Sequence, residues 1–121
     1  MPSRLIVSRE LAELLKLIAH PDRLRLIEEL RQGEKDVSGI AEALDLPSTR
    51  VSQHLASLKA HRLVQERREG RSHFYRLTRP AIAGWIVEAL EFLDVPSPLG
   101  RGDHIDRVRE MWAADNSKSS N

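Results

Sequence analysis

Residues 36–58 read DVSGIAEALDLPSTRVSQHLASL, and this stretch decides the fold. Apolar residues recur at helical spacing on both sides of Leu46-Pro47. Proline interrupts a helix there because the residue before it is pushed out of the helical region. Ser48 or Thr49 can cap the helix that follows. The stretch therefore predicts two short helices joined by a tight turn.

Two further helices are predicted before this pair. Residues 8–19 place leucine and isoleucine at the i, i+3, i+4, i+7 spacing of a helix, with Ser8 as the expected cap. Pro21 suits the first turn of a second helix, and Gly33 is its expected end. Asp36 is expected to cap the third helix, which is the first member of the central pair.

After residue 62 the apolar period changes from helical to strand-like. Residues 63–68 and 72–77 are predicted to be two strands around Glu69-Gly70, where glycine can take a positive φ. A fifth helix is expected after Pro80, with a long apolar stripe around Trp85.

These elements predict a mainly α fold with a small β-hairpin, in the order α-α-α-α-β-β-α, which is a winged helix-turn-helix. We expect it to occupy residues 1–95 and to act as a dimer. Residues 96–114 are rich in proline and glycine at their start and then amphipathic, and we expect a linker and a C-terminal helix-like segment. Residues 115–121 are polar and are expected to be a disordered tail.

Composition excludes several classes of function. The 121 residues contain no cysteine, so a disulfide scaffold, a thiolate zinc site, a thiol switch and a cysteine nucleophile are ruled out. No phosphate-binding loop or HExxH motif is found, and we therefore expect no enzymatic activity. No apolar run approaches the length of a membrane span, and the start of the chain is unlike a signal peptide. We expect a cytoplasmic, nucleoid-associated protein with no membrane partner.

Charge is concentrated in one segment. The net charge of the chain is +1, but residues 48–79 hold eight Arg or Lys residues and only two acids, whereas both flanks are mildly acidic. A basic block of this kind favours a polyanionic partner. Double-stranded DNA is the expected partner, because a helix fits its major groove and cationic side chains bind its phosphates.

The expected DNA contacts come from the helix at 48–61 and the wing at 63–77. The first half of that helix carries short hydroxyls, an amide, an imidazole and a guanidinium, which can hydrogen-bond base edges or phosphates. Val51, Leu55 and Leu58 would hold the helix to the core. The predicted DNA-binding residues are Ser48, Thr49, Arg50, Ser52, Gln53, His54, Arg67, Arg68 and Arg71.

The first and fifth helices carry apolar stripes wider than a small core needs. Apolar patches of that size are unusual on a monomer, and a two-fold dimer matches a palindromic DNA site. The predicted dimer-interface residues are Leu11, Leu14, Leu15, Ile18, Trp85, Ile86, Ala89, Leu90 and Leu93.

Three motifs resemble the ArsR/SmtB-type bacterial repressors. Residues 20–27, HPDRLRLI, look like the family pattern (A/D)-P-x-R-L-x-I-L, and residues 46–58 resemble its recognition helix, L-S-x-x-x-V-S-x-H-L-x-x-L. Residues 63–77 resemble its wing. The resemblance implies a homodimer that represses its own operon until an inducer weakens DNA binding. One departure is Arg62, which stands where the family usually has glycine.

The same resemblance indicates no familiar sensor site. The positions that match the family's metal ligands carry neither cysteine nor paired histidines, so we predict no metal and no cofactor. The one histidine flanked by two carboxylates is His104, between Asp103 and Asp106, and a helix N-terminus decorated with acids accounts for it more simply. Three signals stay open: an unidentified small-molecule inducer, a nonstandard metal site, or no inducer.

The alternative function is a winged helix used for protein contacts without specific DNA binding. Such a module should lack a basic recognition face, and the charge of residues 48–79 argues against it.

Overall fold

The structure, a computed structural model, describes residues 3–93. The predicted linker, amphipathic segment and tail, including Asp103, His104 and Asp106, lie outside these residues. The elements are α1 (Arg4–Ile18), α2 (Pro21–Leu30), β1 (Lys35–Asp36), α3 (Val37–Leu44), α4 (Ser48–Ala60), β2 (Val64–Glu69), β3 (Ser72–Leu77) and α5 (Ala81–Ala89), followed by a 3₁₀ turn at Leu90–Phe92. The winged helix-turn-helix prediction is confirmed. No helix within residues 3–93 is both long enough and apolar enough to cross a bilayer.

The first helix begins earlier than predicted. Ser3 is its cap, because the Ser3 side chain accepts a hydrogen bond from the Ile6 amide at 3.3 Å. Ser8 lies inside the helix and donates its hydroxyl proton to the Arg4 carbonyl at 2.8 Å, so the expectation that Ser8 caps the helix is wrong. The extra turn adds Leu5, Ile6 and Val7 to the helix.

The starts of the next helices agree more closely with the predictions from sequence. Pro21 occupies the first turn of α2, and Asp36 caps α3 by accepting the Gly39 amide at 2.8 Å, as predicted. The helix α4 begins directly after Pro47, with no side-chain cap. The predicted cap at Ser48 or Thr49 is therefore wrong, and both residues belong to the helix itself.

The tight turn between α3 and α4 sets the angle of the pair. Asp45 takes a left-handed conformation with a φ of 55°, and the Leu46 amide donates to the Ala41 carbonyl at 3.0 Å. Asp tolerates this conformation better than most residues. Pro47 then has an extended backbone and precedes the first residue of α4.

The wing is an antiparallel hairpin extended by a third strand. Val64 pairs with Leu77 and Glu69 with Ser72, and Gly70 turns the hairpin with a φ of 61°, as predicted. The sequence did not indicate β1, which pairs with the middle of β3. Two residues carry too little pattern to predict a strand, and Asp36 already had a role as a cap.

One apolar core joins the helices to the base of the wing. Its buried members are Leu17, Ile18, Leu26, Ile27, Leu30, Ile40, Ala41, Leu44, Val51, Leu55, Leu58, Val64, Leu77, Ala83 and Ile86. Residues from α4, β2 and β3 all contribute, so the helix and the hairpin are held to the same body.

Arg62 adopts the backbone conformation that its position suggested. Its φ is 62°, and the adjacent Leu63 amide donates to the Leu58 carbonyl at 2.9 Å. Glycine would take this left-handed conformation without the steric cost that a Cβ imposes. The link between α4 and the wing therefore stores a small backbone strain.

We predict that Arg62→Gly raises the free energy of unfolding by about 1 kcal/mol, because it relieves the positive-φ strain. Chemical denaturation measures the change. His61→Gly is the matched control, since His61 has a φ of −99°. Glycine there relieves no strain, adds conformational freedom to the unfolded chain and removes the contact of 3.0 Å between His61 Nδ1 and the Ser57 carbonyl, so it should lower stability. A stability loss in both variants would contradict the account.

Candidate nucleic-acid interface

The helix α4 divides into a buried face and an exposed polar face. Val51, Leu55 and Leu58 are fully buried in the core. The exposed positions of its first two turns are Ser48, Thr49, Arg50, Ser52 and Gln53. These five predicted contacts lie on one accessible surface of short polar side chains and one guanidinium, which we call the polar face of α4.

His54 does not belong to this face. Its exposed fraction is only 8%, so the expectation that it is available to DNA is wrong. The signal was present in the sequence, because residues 51, 54, 55 and 58 follow the i, i+3, i+4, i+7 spacing of one buried stripe. Its polar ring obscured that pattern.

His54 is instead a link between α4 and α2. Arg23 of α2 donates from Nε to His54 Nδ1 at 3.2 Å and from Nη1 to the Leu17 carbonyl at 2.8 Å. Burial of the imidazole lowers the pKa of His54, and the positive charge of Arg23 acts in the same direction. A neutral ring is the form that can accept the Arg23 proton.

Two other side chains complete a cluster around His54. The His20 ring lies edge-on to His54 with a centroid separation of 4.6 Å, and Asp22 Oδ2 is 3.6 Å from His54 Nε2. One potential ligand atom from each of the three residues lies within 4.8 Å of the others. The sequence analysis missed this cluster, because His20 and His54 are far apart along the chain.

The three predicted wing arginines differ in their surroundings. Arg67 is held by two carboxylates, with Nη2 2.6 Å from Glu34 Oε1 and Nη1 2.7 Å from Glu69 Oε2. Its guanidinium also lies over the Phe74 ring, 4.7 Å from the centroid. Contact with a phosphate would require Arg67 to give up these partners, so its contribution to DNA binding should be smaller than the sequence suggested.

Arg68 and Arg71 are the more available cations of the wing. The Arg68 side chain is 73% exposed, and its nearest carboxylate is Glu66 at 3.6 Å. Arg71 is exposed beside the Gly70 turn, and within residues 3–93 it forms no ion pair. The tip of the hairpin therefore presents positive charge to solvent.

Glu66 ties the wing to the end of α4. Its carboxylate accepts the Tyr75 hydroxyl proton at 2.7 Å and the Lys59 ammonium at 3.1 Å, and it lies 3.0 Å from His73 Nδ1. The hydrogen bonds from Tyr75, His73 and Lys59 lower the pKa of Glu66 to about 2. Burial and the Glu66 carboxylate raise the pKa of Tyr75 to about 12. Because Lys59 belongs to α4, this network helps to set the position of the hairpin relative to the helix.

We predict that Glu66→Gln destabilises the fold at neutral pH and that its deficit shrinks on acidification. A carboxylate with a depressed pKa contributes stability that is complete above its ordinary pKa of 4.5 and is lost as the pH falls towards 2. Denaturant titrations of both proteins between pH 6 and pH 2 measure the difference.

Tyr75→Phe is the companion variant, since it removes the hydrogen bond that lowers the Glu66 pKa most. It should flatten part of the pH dependence. A difference between wild type and Glu66→Gln that stays constant across the range would contradict this assignment.

Large apolar side chains are exposed on α1, on α5 and at the end of the described chain. The exposed large apolar side chains are Leu5, Ile6, Val7, Leu11, Leu15, Trp85, Phe92 and Leu93. Of the predicted dimer residues, Leu11, Leu15, Trp85, Ala89 and Leu93 are exposed, and Leu14 and Leu90 are partly exposed. We call the exposed large apolar side chains the apolar surface.

Two predicted dimer residues lie elsewhere. Ile18 and Ile86 are 5% and 7% exposed within the single chain, so they belong to the core, and their assignment to the dimer interface is wrong. Leu5, Ile6, Val7 and Phe92 are exposed apolar residues that the sequence analysis did not include, the first three because α1 was predicted to begin too late.

Sequence comparisons place this architecture among known regulators. A profile of bacterial regulatory proteins of the arsR family matches residues 20–66. The Biofilm growth-associated repressor of Agrobacterium fabrum is 42% identical over 81 residues, which cover 67% of this chain and 68% of the relative. The HTH-type transcriptional regulator KmtR of Mycobacterium tuberculosis is 35% identical over 78 residues, or 64% of this chain. The chain spans 60% of the length of KmtR.

A solved structure shows the same fold. The homodimeric winged helix-turn-helix DNA-binding domain of Mb0332 from Mycobacterium bovis, described as a possible ArsR-family transcriptional regulator, superposes with a TM-score of 0.61. The two chains are 28% identical, and the match covers 74% of this chain and 88% of that one.

Proposed function

Because the chain belongs to the ArsR family of bacterial regulatory proteins, we propose that it is a homodimeric transcriptional repressor that binds a palindromic site in double-stranded DNA. The observation that carries the proposal is the polar face of α4 beside a cationic hairpin. Both elements are fastened to one core, so they can contact the same duplex together.

The helix α4 would lie in the major groove with its first two turns towards the bases. In a helix-turn-helix the start of the second helix contacts base edges. Gln53 offers an amide that can pair with adenine, and Arg50 a guanidinium that can pair with guanine. Both side chains are exposed, and the buried residues Val51 and Leu55 keep the helix from rotating.

The wing would contact the phosphate backbone next to the groove. Arg68 and Arg71 stand at the hairpin tip, where guanidinium groups can straddle phosphates or enter the minor groove. These contacts add affinity for any duplex and fix the position of α4, but they carry little sequence information.

Dimerisation would pair the apolar surfaces of two chains. Six of its exposed side chains, Leu5, Ile6, Val7, Leu11, Leu15 and Trp85, are between 42% and 57% exposed in the single chain. Burying them between copies removes apolar area from water. A two-fold dimer would present two α4 helices to the two half-sites of a palindrome.

We further propose that a small-molecule inducer regulates the repressor, and one cleft supports this proposal. A cleft of about 560 Å³ is lined by Leu14, Leu63, Ile82 and Trp85, together with Thr78. The Thr78 hydroxyl is buried with no hydrogen-bond partner among the described residues, and it could pair with a ligand. Because Trp85 also belongs to the apolar surface, a ligand there would affect the dimer. A repressor of this kind would act in the cytoplasm, associated with the nucleoid.

We predict that Gln53→Ala and Arg71→Ala have separable effects on DNA binding. Gln53→Ala should reduce discrimination between a selected site and an unrelated duplex by about 1–3 kcal/mol, while the salt dependence stays unchanged. Arg71→Ala should weaken binding to both duplexes and lower the salt slope by about 0.9 for each phosphate that the protein no longer neutralises. Fluorescence anisotropy at several salt concentrations measures both quantities.

Arg31→Ala is the matched control. It removes the same charge from the end of α2, outside α4 and the wing, and should change neither quantity. If Arg71→Ala behaves like Arg31→Ala, the wing does not contact DNA. If Gln53→Ala leaves the discrimination between the selected site and the unrelated duplex intact, Gln53 does not contribute to sequence recognition.

A further inference from the structure

The cleft at the base of the wing has an apolar lining and a volume of about 560 Å³. Small-molecule sites in proteins occupy roughly 300–1,000 Å³. Leu14 of α1, Leu63, and Ile82 and Trp85 of α5 supply its large apolar side chains. Because burial of apolar surface is favourable in water, such a lining selects a ligand with an apolar body.

Two guanidinium groups line the same cleft. Arg62 and Arg79 are exposed, and within residues 3–93 neither forms an ion pair. None of the described residues that line the cleft is acidic. Arg67 on the wing, by contrast, is held by Glu34 and Glu69. The cleft therefore offers two cations to an anionic group without the need to break an ion pair.

The backbone at Arg62 is an independent indication of function. Its φ of 62° lies in the left-handed region, where a Cβ has a steric cost that glycine avoids. Strained residues of this kind cluster at ligand-binding and active sites, where the surrounding structure maintains them. The strained residue is here one of the two arginines of the cleft, so a role of its guanidinium in ligand binding accounts for the strain.

The cleft lies away from the proposed DNA contacts. Val64 and Leu77 form the first pair of the hairpin, and Glu69 and Ser72 form the last. The residue steps from Val64 to Glu69 span about 17 Å at about 3.3 Å per residue, which separates the cleft from the tip of the wing. Arg62 follows the end of α4, whereas the polar face of α4 occupies its first two turns. The cations of the cleft therefore do not belong to the surface proposed to contact DNA.

We infer that the cleft binds a small organic carboxylate with an apolar aliphatic or aromatic body. Its carboxylate would pair with Arg62 and Arg79, because guanidinium and carboxylate groups form charge-assisted and often bidentate hydrogen bonds. The Thr78 hydroxyl, which is buried without a partner among the described residues, would donate to the same group. The apolar body would pack against Ile82 and Trp85, which line the cleft.

Identification of this carboxylate as the inducer rests on the proposed function, but its binding to the cleft does not require DNA. Trp85 is 44% exposed, so a ligand packed against its ring should shift its fluorescence emission to shorter wavelength. Trp85 and Trp112 are the two tryptophans of the chain. In a full-length chain that carries Trp112→Phe, the emission therefore reports on the cleft alone.

Fluorescence titration of this chain with octanoate and with 3-phenylpropanoate tests the ligand class. The first probe has an aliphatic body and the second an aromatic one, and at least one of them should bind saturably with one molecule per chain. 1-Octanol and octylammonium have the same body as octanoate without its negative charge, and they should bind at least about tenfold more weakly than octanoate. Acetate has the charge without the body and should cause no shift.

Arg62→Gly and Arg79→Gln should each weaken binding of the carboxylate by at least about fivefold and leave the affinity for 1-octanol unchanged. Arg62→Gly also relieves backbone strain, so unfolding cannot explain its loss of affinity. Arg76→Gln is the matched control, because Arg76 is exposed on β3 and does not line the cleft. Equal affinities for octanoate and 1-octanol, full affinity in both cleft variants, or binding of neither carboxylate would overturn the proposal.

Sedimentation equilibrium and DNA binding of the same full-length chains separate the ligand from other occupants and from the proposed function. If neither carboxylate binds and both cleft variants shift the monomer–dimer equilibrium, a second copy of the chain occupies the cleft and the proposal is overturned. Arginine-dependent carboxylate binding by a chain that binds no duplex would support the site and reject the proposed function. Duplex binding without carboxylate binding would support the proposed function and overturn the inferred ligand class.

Discussion

Burial of one face of α4 is the constraint on which the rest of the structure depends. Val51, Leu55 and Leu58 are fully buried, and His54 completes the stripe. Once this face points inwards, the helical period leaves Arg50 and Gln53 facing outwards. The same residues that stabilise the core thus decide which side chains can reach a base. A change that rotated α4 by one residue, or about 100°, would bury part of the polar face and expose part of the apolar one.

Some charged side chains of the wing form ion pairs within the fold, and others are available to bind a partner. Glu66 accepts hydrogen bonds from Lys59 and Tyr75, and Glu34 forms an ion pair with Arg67. These pairs orient the hairpin, although exposed ion pairs contribute little stability individually. Positive charge that is not paired with a carboxylate remains at the tip of the hairpin. A net charge counted from sequence therefore overstates what is available to a polyanion.

Local patterns predicted most of the fold. The Asp36 cap, the break at Pro47 and the positive φ of Gly70 depend on residues within a few positions of one another, and the structure has all three. Some of the missed features depend on interactions between distant segments. The strand β1 exists because β3 lies beside it, and the ring of buried His54 finds its hydrogen-bond donor in Arg23 of another helix. The cluster with His20 and Asp22 is also tertiary, so no spacing rule for paired histidines could have revealed it.

Selection of bound duplexes from a random pool by the full-length chain tests the central claim most directly. The account predicts enrichment of an inverted repeat whose half-sites are centred about 10–10.5 base pairs apart, or a multiple of that spacing, because two α4 helices would enter successive major grooves. A pool that remains random after repeated rounds, or one that yields a single unrepeated element bound by one chain, would contradict it.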